Sequence, residues 1–152
     1  MKNFLPILIV FVSTAVWAQD DAAARRRNFN NDHDVALKEF DPVSYFKGKP
    51  ARGDAKINYI YKGLEYYFSS EANREEFKKA PEKYEPAYGG WCAYTVAING
   101  TRVKVDPTTY KISDGKLYLF YNFNGDNRLV KWNRNEKVFK PKADAFWLKT
   151  MH

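Results

Sequence analysis

The chain has 152 residues, one cysteine, two histidines and a formal net charge of +7. That length suits one domain with a sizeable core, and a single cysteine excludes a disulfide framework, so Cys92 is free, buried, liganded or paired to another molecule. The basic balance does not point to nucleic acid. Beyond the cluster Arg25-Arg26-Arg27, basic and acidic residues alternate, as along 71–79, in the manner of a solvated helix face. Adhesion to an anionic envelope surface suits it better.

The first eighteen residues read as a secretory signal. Lys2 supplies the positive end, Phe4 to Val12 is apolar apart from Pro6, and Val16-Trp17-Ala18 supplies a small residue at the scissile position. Cleavage after Ala18 is expected, which places the mature protein in the periplasm or outside the cell. The alternative is an uncleaved anchor, but the apolar run is shorter than the roughly 20 residues of a spanning helix. No second candidate span exists, so an integral membrane protein is not expected. Residues 19–34 lack apolar periodicity and read as a flexible polar leader, and 35–149 as one compact domain.

Asp41-Pro42-Val43-Ser44-Tyr45-Phe46 predicts a short helix, with Asp41 capping free amides and Pro42 at the first helical position. Ile57, Tyr59 and Tyr61, then Leu64, Tyr66 and Phe68, alternate about Lys62-Gly63 as a β-hairpin. Ser69 or Ser70 caps a helix from Glu71 to about Lys79, with Phe77 and Ala80 facing the core. Pro81 to Tyr84 forms one further turn. Cys92 to Ala97 suits a helix or a strand equally. Arg102 to Val105 then reads as a strand and Asp106-Pro107 as a corner. Tyr110 to Ile112 and Lys116 to Tyr121 form a hairpin across Asp114-Gly115. A helix from Gly125 to about Asn135 and a last turn from Ala143 to Leu148 complete the chain. This mixed order predicts an α+β fold of antiparallel hairpins and short helices.

In order, these residues resemble the YHS-domain family, in its small exported single-domain branch. The resemblance covers about Val35 to Trp147. It rests on Asp41-Pro42-Val43-Ser44-Tyr45-Phe46, on Tyr67-Phe68-Ser69-Ser70-Glu71-Ala72-Asn73-Arg74 and on Pro81-Glu82-Lys83-Tyr84. Tyr88-Gly89-Gly90-Trp91-Cys92-Ala93-Tyr94, Asp106-Pro107 and Asp114-Gly115-Lys116-Leu117-Tyr118-Leu119 continue it. It implies a metal-binding module of YHS-like fold. In related fused modules cysteines follow the aromatic residues of the central strand, whereas here Ser69 and Ser70 follow Phe68, and an aromatic residue replaces the eponymous histidine.

Cys92 is the natural anchor for a soft ion such as copper(I) or zinc, with Asp41, Asp106, Tyr88 and His33 as further donors by position. The competing reading is a small buried hydrophobe packed beneath Trp91. Tyr84, Gly89, Gly90, Trp91 and Tyr45 are expected to wall a pocket around the glycine pair. A cysteine nucleophile needs a nearby base, and His33 and His152 sit near the ends of the mature chain, so catalysis is not expected. Gly89-Gly90 lacks the lysine and helix start of a phosphate loop. The expected partner is a metal ion. Failing that, the aromatic surface binds an envelope protein or polysaccharide without metal.

Overall fold

The computed structural model describes residues 14–151, with side chains from residue 19. Most of the segment expected to be a secretory signal, and His152, lie outside the described residues. The architecture is α+β: a four-stranded sheet and two separate hairpins, combined with short helices.

Helix α1 (Thr14–Asn28) leads into β1 (Asn31–Asp32) and β2 (Val35–Ala36). The stretch expected to be a flexible leader is thus regular, and it packs on the domain. Arg25 is 6% and Phe29 9% exposed. Its contact needs one arginine and one phenylalanine rather than an apolar stripe, so no periodicity announced it.

Asp41 caps α2 (Pro42–Phe46), accepting from the amides of Val43 at 2.8 Å and Ser44 at 3.3 Å. Strands β3 (Asp54–Tyr61) and β4 (Leu64–Phe68) form the first hairpin, with Tyr59 opposite Tyr66. Strand β2 joins β4 in parallel, giving the order β1-β2-β4-β3. Along β4 the side chains of Leu64, Tyr66 and Phe68 are buried while those between them are half-buried, as the two-residue repeat of a strand requires.

Helix α3 (Glu71–Lys79) starts at Ser70, whose Oγ accepts the Asn73 amide at 3.2 Å. Its Phe77 ring lies 4.9 Å from that of Tyr66 and 5.2 Å from that of Phe68. Burying it completely contributes about 2–3 kcal/mol. Ala80, expected in the core, is exposed because the helix ends there. The turn α4 (Pro81–Tyr84) then brings Tyr84 to the same cluster.

After the glycine pair the chain forms helix α5 (Ala93–Asn99) rather than a strand. Ala93, Val96 and Ala97 share one buried face, which a strand would split, and Gly100 ends the helix at φ +74°. Residues 101–105 form no strand. Instead β5 (Asp106–Ser113) includes the Asp106-Pro107 pair expected as a corner, and it pairs with β6 (Lys116–Phe120). Asp114 and Gly115 turn between them at φ +48° and +71°, the geometry of an Asp-Gly hairpin.

A further hairpin, β7 (Asn122–Phe123) and β8 (Asp126–Asn127), delays the next helix, so α6 covers only Arg128–Asn133. The final helix α7 (Glu136–Met151) is much longer than the turn expected there. Pro141 lies inside it on the exposed side, where its missing N–H costs one helical bond. Packing of Phe139, Ala143, Phe146 and Trp147 against the second core cluster offsets that cost. At the centre of this cluster the buried Trp132 stacks on Phe139 at 6.0 Å.

Candidate binding cleft

Tyr88, Gly89 and Gly90 follow one another at φ +54°, +59° and +82°, a left-handed bend that tolerates glycine and strains tyrosine. Its purpose is close approach. A Cβ on Gly89 would stand 2.7 Å from the Trp147 ring and 3.0 Å from the Phe29 Cα, so this bend lets the end of α1 and helix α7 meet over it. Asn30 fastens the junction, its amide donating to the Gly89 carbonyl at 2.8 Å and its Nδ2 to the Gly90 carbonyl at 3.0 Å.

Beside the bend lies a cleft of about 400 Å³. Phe29, Tyr88, Tyr118 and Trp147 form its apolar wall. Three cationic side chains, Arg25, Lys62 and Lys116, face three carboxylates, Glu82, Glu85 and Asp144, so the lining carries no net charge. Arg25 donates to Glu85, which also accepts the Tyr66 hydroxyl, and the Arg25 and Glu85 side chains are only 8% and 11% exposed. Burial lowers the Arg25 pKa, but the carboxylate beside it outweighs that and holds it raised. The Tyr88 hydroxyl donates to Asp144 Oδ1 at 2.9 Å. Burial, and then that carboxylate, push its pKa far up, so the phenol stays protonated.

Of the five expected pocket residues, Gly89 lines this cleft and the other four do not. Tyr84 is a core ring whose hydroxyl donates to Glu76 at 2.6 Å. Tyr45 is buried, donating to the Pro107 carbonyl at 2.8 Å. Trp91 turns its Nε1 to the Asn28 carbonyl at 2.6 Å, and Gly90 packs on Pro86. Arg25, Phe29, Glu85, Tyr118, Asp144 and Trp147 were not assigned to a pocket from the sequence. Only a helical phase for α1 and α7 would have shown which of their neighbouring charges and rings face inward.

The structure does not gather the five expected metal donors either. Cys92 has no exposed surface and belongs to the core cluster with Val105, Leu117 and Leu119. The neighbouring charge is a cation: the pKa of Arg128, lowered by burial, is raised on balance by Asp126 and by Cys92. Asp41 is fully buried and its second oxygen is taken by the Ser69 amide at 2.9 Å, the Ser69 hydroxyl at 2.6 Å and Asn73 Nδ2 at 2.6 Å. Asp106 accepts from Thr108 and Thr109. His33 sits in the turn between β1 and β2 with its side chain 97% exposed, 2.7 Å from Asp32. Among the described residues no group of three His, Cys, Asp or Glu side chains is arranged to hold a metal ion.

Residues 43–88, from helix α2 to the first residue of the left-handed bend, match the family model described as YHS domain. Within those bounds the chain is similar to a YHS domain. No curated protein and no solved structure matches the chain. The YHS segment contains no cysteine and no histidine, and of the five expected donors only Tyr88 falls within it. Where the fused modules of this family carry cysteines, Ser69 and Ser70 spend their hydroxyls on Asp41 and on the start of α3. A soft-metal centre therefore does not fit the YHS segment as it stands here, because thiolate and imidazole donors are missing and the nearby oxygens are already bound.

Proposed function

We propose that this YHS protein is an exported, non-enzymatic binding module that holds an uncharged polar segment of an envelope partner, saccharide or peptide, in the cleft beside Gly89. One observation carries the reading: a cleft with an aromatic wall and three cationic side chains balanced by three carboxylates, built where α1, the left-handed bend and α7 converge. Aromatic rings supply apolar contact, and the balanced charges of the lining supply hydrogen-bond donors and acceptors without favouring either sign of ligand. Export rests on the signal-like start of the chain. No helix of the described residues is long and apolar enough to cross a membrane.

The test is a nuclear magnetic resonance titration of the full chain with fragments of envelope polysaccharide and with peptides. Binding is expected to shift the indole signal of Trp147 and the amides of Glu85 and residues 87–90, and Trp147→Ala is expected to weaken it about tenfold. Shifts confined to other surfaces, or equal binding by the variant, would remove the cleft from the account.

The family match favours metal binding in general as a second reading, and copper or zinc at Cys92, which lies outside residues 43–88, is the specific form of it to test. Metal analysis of protein from its native compartment, compared with Cys92→Ser, separates the two. Stoichiometric metal lost in the variant would establish the metal reading in spite of the geometry of the sulfur.

A further inference from the structure

Helix α7 carries two apolar stripes, of which one is covered. Phe139, Ala143, Phe146 and Trp147 pack inward. At 100° per residue, Val138, Pro141, Ala145 and Leu148 lie on the opposite side, and all four are exposed, Val138 at 41% and Leu148 at 61%. Lys137 flanks this outer ridge on one side, and Lys142 and Lys149 on the other. The neighbouring helices α5 and α6 add Ile98 at 52% and Val130 at 53%. Four of the five large hydrophobic residues exposed among the described residues thus belong to these three helices.

Charge is concentrated in the same place. Residues 128–151 hold seven of the 25 lysines and arginines but only two of the 18 acidic residues, a local excess of five within a net charge of +7. In this segment Arg128, Lys131 and Lys140 are paired with carboxylates. Arg134, Lys137, Lys142 and Lys149 make no ion pair among the described residues, and all four are exposed.

An apolar ridge between lysines long enough to lift their ammonium groups beside it is the form of a helix lying at the boundary of lipid headgroups and acyl chains. We propose that α7 docks the protein on an anionic lipid bilayer, with Val138, Ala145 and Leu148 at the acyl boundary and Lys137, Lys142 and Lys149 on lipid phosphates. Nucleic acid would use the lysines but not the ridge. Asp144 and Trp147, which line the cleft, project from α7 away from the centre of the ridge, so docking is compatible with an open cleft.

The test uses the full chain carrying Ala145→Cys, labelled with a polarity-sensitive fluorophore. Cys92 has no exposed surface, so the label reports position 145. A blue shift is expected with vesicles of phosphatidylcholine and phosphatidylglycerol, lost in high salt and absent with phosphatidylcholine alone. Replacing Lys137, Lys142 and Lys149 together by glutamine is expected to weaken binding about a hundredfold, at about fivefold per lysine. Leu148→Ser is expected to cost about tenfold. Three results would overturn the proposal: no blue shift, a shift that persists on neutral vesicles, or tight binding to double-stranded DNA that Leu148→Ser leaves unchanged. Association through the N-terminal apolar segment alone would leave the label in water and would also overturn it.

Discussion

Replacing Arg25 by alanine asks whether helix α1 belongs to the domain or merely precedes it. The substitution removes a guanidinium that bonds Glu85, donates to the Lys62 carbonyl at 3.1 Å and stacks 4.3 Å from the centre of the Phe29 ring. Glu85 would be left with the Tyr66 hydroxyl as its partner in a site where its side chain is 11% exposed. Breaking one half of a buried ion pair costs about 3–5 kcal/mol, because the remaining charge is desolvated without compensation. Glu85 lines the cleft, and water entering there softens the loss, so the lower end, about 3 kcal/mol, is expected. For a domain of this size that corresponds to a fall in Tm of about 6–12 °C. Urea unfolding of wild type, Arg25→Ala, Glu85→Gln and the double variant forms a cycle in which the coupling should reach about 2 kcal/mol. A loss below about 1 kcal/mol with no coupling, the behaviour of an exposed pair, would refute the docking of α1 and restore the flexible leader.

Three further expectations follow from the same geometry. Asp41→Ala removes the cap of α2 and strands the Ser69 amide and Asn73 Nδ2, so it should cost about 4 kcal/mol in urea unfolding; a loss under about 1 kcal/mol would mean that the five hydrogen bonds are not made. Burial raises the Asp106 pKa, but the Thr108 amide and hydroxyl and the Thr109 hydroxyl outweigh it and hold the carboxyl below its ordinary value. The folded form then binds the proton less readily than the unfolded chain, so this stability is present above about pH 4 and fades as pH falls through the folded pKa. Asp106→Asn should flatten that limb of a plot of urea midpoint against pH, and an unchanged slope would contradict the assignment. Cys92, without exposed surface, should react with a thiol reagent only after unfolding, and rapid native labelling would show the sulfur to be accessible.

Local chemistry alone determined a good part of this protein. Asp41-Pro42 and Ser70 mark helix starts because a short polar side chain there satisfies free amides. Lys62-Gly63 and Asp114-Gly115 mark hairpin turns because their backbone must enter the left-handed region, and strand β4 announces itself by strict alternation. Through these pieces the α+β class and the YHS resemblance were legible. Tertiary structure decided what depends on partners distant in sequence. Only one of three consecutive arginines turns inward, toward a glutamate 60 residues away, and only packing under α7 makes a helix through Pro141 worthwhile. Cys92, conspicuous beside two glycines, proved to sit in the core, while the glycines serve the meeting of Phe29 and Trp147. The reason is physical: capping and turns are settled within a few residues, whereas burial and charge pairing depend on which surfaces the folded chain brings together.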